Sequence, residues 1–136
     1  MQPTVFTRIL AGEIPAALVY RGERIFAFMD AGQLNPGHVL VAPCEAYPTL
    51  LDMDEDLAAE LMRVSHRVAR AVQEAFQPPG MMLLQANGVA GGQTVPHAHI
   101  HVLPRHEDDG VGLVWPRKNP DMAVLEAYAA RIRMAG

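Results

Sequence analysis

Apolar positions recur along this chain with two different periods, and the change of period divides it into elements. From Asp54 to Phe76, the residues Leu57, Leu61, Val64, Val68, Val72 and Phe76 return at spacings of three and four. That spacing draws one apolar stripe along a helix. Arg63, Arg67 and Arg70 fall off the stripe, and Asp52 or Asp54 is placed to cap the first turn. At about 1.5 Å per residue the helix would run roughly 35 Å, enough to cross one face of a sheet. Elsewhere the runs are short and β-rich. Ala17 to Tyr20 and Arg24 to Met29 read as two strands joined by a hairpin-type link at Arg21-Gly22-Glu23. Asn35-Pro36-Gly37 marks a turn within the loop Ala31 to Gly37. His38 to Ala42 then reads as a third strand, stopped by Pro43.

Met81 to Ala86 and His97 to Val102 read as a second strand pair, linked by the glycine-rich segment Asn87 to Pro96. A short amphipathic helix is expected between Thr4 and Gly12, with Val5, Phe6, Ile9 and Leu10 apolar. A last helix is expected from Asn119-Pro120, with Met122, Leu125, Tyr128 and Ile132 on its apolar face. Strands, helix, strands, helix predict an α+β fold. It is expected to have an antiparallel sheet of about five strands, one long crossover helix and a C-terminal helix.

Composition narrows the function. The 136 residues, half of them hydrophobic and 19% charged, suit one domain with one core. Fifteen acids against eleven bases give a net charge of −4, which argues against a nucleic-acid partner. No apolar run is long enough for a bilayer, so no membrane partner is expected. Cys44 is the only cysteine, so an intrachain disulfide and a cysteine-based metal cluster are both ruled out. That favours a reducing, cytoplasmic setting. Cys44 itself reads as inert and Trp115 as a packing or interface residue, while His66 and His106 read as solvated.

The chemistry concentrates at His97, His99 and His101. On a strand, alternate side chains share a face, which would set these imidazoles roughly 7 Å apart along it. Ala98, Ile100 and Val102 would face the core. A neutral imidazole can attack phosphorus while a protonated neighbour binds a phosphate oxygen or helps the leaving group. Three imidazoles can also hold a catalytic zinc. Just upstream, Gly88, Gly91 and Gly92 permit close approach of a ligand, and free amides there would cradle an anion. Asn87, Gln93 and Thr94 add side-chain donors.

The run from Gln93 to Arg105, with its three histidines alternating with hydrophobic residues, resembles the signature of the histidine triad (HIT) superfamily. Asn87-Gly88 and Gly92-Gln93 sit where that family has its phosphate-binding loop. Phe6, Ile9, Glu13-Ile14-Pro15, Phe28-Met29-Asp30 and Pro36 to Val41 are similar in order and spacing. The resemblance is to bacterial-type members and spans roughly residues 4 to 105.

It implies a single domain over residues 1–136, with 106–136 a less typical C-terminal extension. It also implies a nucleotide hydrolase or transferase acting at the α-phosphate of a purine nucleoside phosphoramidate or related adenylate. A covalent nucleotidyl-histidine would form and release a nucleoside monophosphate. By the same carry-over His99 is the nucleophile, the carbonyl of His97 orients its ring, and His101 and His38 support it. Asn87, Gly92, Gln93 and Thr94 would meet the phosphate and leaving group, and Asp30 the ribose. Phe6, Ile9, Ile14, Phe28 and Leu40 would line the base pocket.

Some members hold a structural zinc through an N-terminal cysteine pair and histidines. The matching positions here are Thr4, Thr7 and Ala46, so no metal and no cofactor are expected. The third histidine disfavours the uridylyltransferase branch, where glutamine takes that place. A homodimer is the implied assembly. The competing readings are a dinucleoside polyphosphate hydrolase with the same site, a metal-dependent His-x-His enzyme of the cupin type, and a nucleotide-binding protein with little turnover.

Overall fold

The computed structural model describes residues 2–113 and 115–136. Its elements in chain order are α1 (Val5–Leu10), β1 (Leu18–Arg21), β2 (Ile25–Met29), β3 (Val39–Pro43), α2 (Glu55–Phe76), β4 (Gly80–Gln85), β5 (Ile100–Arg105) and α3 (Met122–Ile132). The five strands form one sheet in the order β1-β2-β3-β5-β4, with every neighbouring pair antiparallel. The α+β fold expected from the sequence is present. β3 and β4 both run against β5, so the chain between them crosses over through α2, and β5 then returns to fill the gap. Among the described residues no helix is long and apolar enough to cross a membrane.

The apolar stripe of α2 decides the main core. Leu57, Leu61, Val64, Val68 and Val72 pack on Ile25, Ala27, Val39, Val41, Ile100 and Val102 from one sheet face. Asp54 caps the helix by accepting from the Leu57 amide at 2.8 Å. Phe76, the last member of the predicted stripe, departs from it and is 50% exposed. Its ring instead lies over Gly37, where a Cβ would come within 2.9 Å of it. Gly37 also has φ +97°, so a side chain there meets both a clash and a strained backbone.

The opposite sheet face carries the second cluster, made of Phe26 and Phe28 from β2, Leu40 and Ala42 from β3, and Phe6 from α1. Ile9 and Leu10 close its edge. This is the face on which His101 of β5 lies, since His101 pairs directly with Leu40 and Leu40 with Phe28.

Four sequence expectations need correcting. Pro43 does not stop β3 but ends it from within, paired with Ile25 where the ladder is finishing and one missing donor is tolerated. β5 begins at Ile100, so His97 and His99 lie in irregular chain before it, not on a strand. α3 is capped by Asp121, whose carboxylate accepts from the Val124 amide at 3.1 Å. Asn119 sits outside the helix with φ 47°. Finally, the apolar residues of α3 meet no core, and Met122, Leu125, Tyr128 and Ile132 are all exposed. Trp115 is 75% exposed, so its ring is not part of a core.

Candidate active site

Strand pairing sets His101 on the open face of the sheet, and the loop between β2 and β3 brings two more groups to it. The His38 ring is 1% exposed, and its Nε2 lies 2.9 Å from His101 Nδ1. Its other nitrogen, Nδ1, is 4.0 Å from Asp30 Oδ1 and has no hydrogen-bond partner among the described residues. Gln33 shapes this loop. Its amide nitrogen donates to the Asp30 and His38 carbonyls, both at 2.7 Å, and its carbonyl accepts from the Gly37 amide at 2.9 Å. The Asp30 carboxylate is braced in turn by the amides of Gly32 and Gln33. No pattern in the chain pointed to this role for Gln33, because it depends on main-chain partners that no motif encodes.

His99 is buried beside His101, with ring centroids 4.9 Å apart. Its Nδ1 is 2.7 Å from the His97 carbonyl oxygen. A carbonyl only accepts, so Nδ1 carries the proton and Nε2 is left with its lone pair. The Phe6 ring meets His99 edge-on at 5.0 Å and Phe28 at 5.1 Å. Phe6, Phe28 and Leu40 therefore form an apolar floor next to His99. Ile9 is half-buried at its margin, and Ile14 is half-buried in the link between α1 and β1.

The expected row of three imidazoles on one face is not what forms. His97 is 0% exposed and turned away, held between Thr4 Oγ1 at Nδ1 and the Pro43 carbonyl at Nε2, both at 2.7 Å. The reason is local. The His97 amide bonds back to Val95 and the Ala98 amide reaches Tyr47, so the chain turns here and the alternation of a strand does not apply. The rings of His99, His101 and His38 come together, and His97 offers them its backbone.

The glycine-rich loop also differs from the expected cradle of free amides. The amides of Gly88, Gly91, Gly92 and Gln93 are all engaged within the loop. Gln93 is buried. It accepts from Gly88 and donates to the carbonyls of Pro48 and Val95. Asn87 accepts from the Leu50 amide and exchanges bonds with Gln85. Both side chains brace the loop in this state, while Thr94 is exposed at its lip. Gly92, at φ 99°, provides the left-handed turn that ends the short helical segment Val89–Gly91.

Burial dominates the electrostatics. It pushes the imidazoles of His38, His97 and His99 below their usual range, and the Asp30 charge only partly opposes this at His38 and His99. His101 is lowered to about 4 by burial first, then by its neighbours His99 and His38. These rings are thus neutral at neutral pH, without the standing imidazolium that the sequence allowed for. Burial also raises the thiol of Cys44, in keeping with an unreactive cysteine.

Asp30, His38 and His101 each bring a donor atom within 4.8 Å of the others. His38 turns one nitrogen to His101 and the other to Asp30, at opposite ends of one ring. The three groups therefore make a chain of contacts rather than a cage converging on one cation. At the positions matching the family's structural zinc, Thr4 and Thr7 hydrogen-bond reciprocally in a helix cap and Ala46 is a buried methyl. None of the three supplies a thiolate or imidazole.

A family model described as HIT domain matches residues 11–108. The chain is 38% identical over 112 residues to Protein hit of Bacillus subtilis, which covers 82% of this chain and 77% of that one. It is 29% identical over 113 residues to the adenosine 5'-monophosphoramidase of Schizosaccharomyces pombe, covering 82% of each. A HIT family protein from Bacillus anthracis has a solved structure that matches with a TM-score of 0.88 and 35% identity, covering 94% of this chain and 93% of that one. With the family model spanning most of the chain, a fold shared with a solved member, and three histidine rings gathered on the open sheet face, the chain belongs to the HIT domain family.

Proposed function

We propose that this protein is a nucleotide hydrolase that cleaves a purine nucleoside phosphoramidate or related adenylate at its α-phosphate, through His99. The observation that carries the reading is the hydrogen bond from His99 Nδ1–H to the His97 carbonyl, which leaves Nε2 unprotonated beside an apolar floor. Similarity to the S. pombe phosphoramidase supports the choice of substrate class.

In the first step Nε2 attacks the α-phosphorus. The N–P bond to His99 forms as the bond from phosphorus to the leaving amine breaks, and the amine departs with a proton taken up from solvent. In the second step water attacks the same phosphorus and gives up a proton to solvent, the N–P bond breaks, and His99 and a nucleoside monophosphate are released. Asp30 would meet the ribose hydroxyls, and Phe6, Ile9, Phe28 and Leu40, with Ile14, would line the base. Thr94, with Asn87, Gly92 and Gln93 once the loop yields to ligand, would meet the phosphate. His101 and His38 would steady the His99 ring and accept charge as it develops. No metal or cofactor has a part in these steps, and the setting proposed is cytoplasmic.

The test is to quench a reaction with labelled adenosine phosphoramidate and map the adduct by mass spectrometry. Label on His99 is expected, and label on another residue overturns the assignment. The same enzyme is then compared on a diadenosine polyphosphate. A higher kcat/KM on that substrate would replace the phosphoramidase reading with the polyphosphate one. Binding without turnover of either would leave a nucleotide-binding protein.

The working assembly proposed is a homodimer. The exposed apolar residues of α3 and the edge strand β4, which is Gly-Met-Met-Leu-Leu-Gln without a charge, suit contact with a second copy. Light scattering should give twice the 14.8 kDa chain mass, and a monomer at working concentration would refute this.

A further inference from the structure

The first turn of α1 reaches into the catalytic centre through one hydroxyl. Thr4 is the N-cap of α1 and is buried, and its Oγ1 accepts from the Thr7 amide at 3.2 Å. With that lone pair used, its own proton is free for His97 Nδ1, 2.7 Å away. The tautomer agrees. His97 Nε2 faces the Pro43 carbonyl, which only accepts, so Nε2 carries the ring proton and Nδ1 must receive one. Both ring nitrogens of a fully buried histidine are thereby satisfied from two different elements, the cap of α1 and the end of β3. The carbonyl of this pinned residue is the group that fixes the His99 tautomer. Two residues beyond Thr4 on the same helix, Phe6 touches both rings, at 5.2 Å from His97 and 5.0 Å from His99.

We infer that Thr4 is a positioning residue for the nucleophile. Its hydroxyl locks the His97 ring, the locked ring holds the His97 carbonyl in place, and that carbonyl keeps the proton of His99 on Nδ1. The role rests on the reading of His99 as nucleophile, but the geometry it predicts can be checked without turnover. Removing the hydroxyl leaves His97 Nδ1 buried without a partner. The ring then has reason to flip or shift, and small errors of position at a reacting centre are costly in rate.

The experiment compares Thr4→Val, Thr4→Ser and Thr7→Ala with wild type. Thr7→Ala weakens the same helix cap but leaves the Thr4 hydroxyl on His97, so it controls for loss of α1 stability. Steady-state rates are measured on adenosine phosphoramidate, and imidazole tautomers are read by nitrogen-15 NMR of the empty protein. Thr4→Val should lower kcat by about tenfold or more with KM changed far less, because the hydroxyl does not face the substrate. Thr4→Ser should restore the rate and Thr7→Ala should keep it. The NMR spectrum should show a His97 Nε2–H and a His99 Nδ1–H tautomer in wild type, with the His99 preference lost in Thr4→Val. Wild-type kcat in Thr4→Val, or a His99 tautomer that ignores the substitution, overturns the inference. Equal loss in Thr7→Ala would also overturn it, reducing Thr4 to a helix cap. If wild type turns over nothing, the proposed function fails while the NMR comparison still decides the Thr4 clamp.

Discussion

Replacing His99 with alanine is expected to lower turnover of a nucleoside phosphoramidate by at least about 10³-fold while nucleotide still binds. The expectation follows from what the ring alone supplies. Covalent catalysis needs a lone pair at Nε2, and His99 is the histidine whose tautomer is fixed toward that state by a backbone carbonyl. His101 is not held in this way, since its Nδ1 faces His38 Nε2, a ring nitrogen that can donate or accept, and no backbone carbonyl fixes its tautomer. The apolar floor of Phe6, Phe28 and Leu40, proposed to hold the base, remains in the variant, so affinity for a nucleoside monophosphate should change little. Single-turnover kinetics and calorimetric titration give the two numbers. An active variant would refute the mechanism, and a variant that no longer binds would show that His99 holds ligand rather than attacks it.

The largest effect on stability is expected at Leu61. It lies in the first half of α2, is 0% exposed, and belongs to the cluster packed between the helix and the sheet. Truncation to alanine removes three buried carbons and leaves a space in a cluster rich in stiff β-branched valines, which cannot readily fill it. A cost of about 3 kcal/mol is expected, and a fall in melting temperature of roughly 10 °C. Leu51, 84% exposed on the connection before α2, is the control. Leu51→Ala should change stability by less than about 0.5 kcal/mol. Urea unfolding of both variants measures this. Equal effects at the two positions would mean that the α2 contact is not the main core.

These expectations draw on features of very different visibility in the sequence. The helix Glu55–Phe76 was legible because burial on one face imposes a period, and Leu57 to Val72 obey it. Its start was legible because a short carboxylate before an apolar stripe has one obvious use, which Asp54 fulfils. Residues His38, His99 and His101 could be picked out as chemical groups, and Asp30 through its neighbours in the motif. Their relation came only from the family resemblance, which set the His97 carbonyl against the His99 ring, and not from the alternation of the residues. His97 looked equivalent to its two companions, because alternation assumes a strand, and the bends at residues 95 to 97 break that assumption without leaving a compositional mark. Gln93 looked like a donor to ligand, yet its buried amide is occupied by three backbone groups of its own loop and its surroundings. Thr4 read only as the start of a short helix and as a position without a zinc ligand, and nothing in one chain's sequence says that a hydroxyl at residue 4 meets a ring at residue 97.

The neutrality of the buried rings has a consequence for how an anion is received. A pocket of uncharged imidazoles in a chain of net charge −4 exerts no long-range pull on phosphate, so encounter is not steered and should respond weakly to salt. Once seated, the phosphate supplies the negative charge that favours imidazolium, and an imidazole beside it gains affinity for a proton. Proton uptake is therefore expected to accompany binding, and it would show as an apparent affinity that weakens as pH rises, the positive charge coming from solvent.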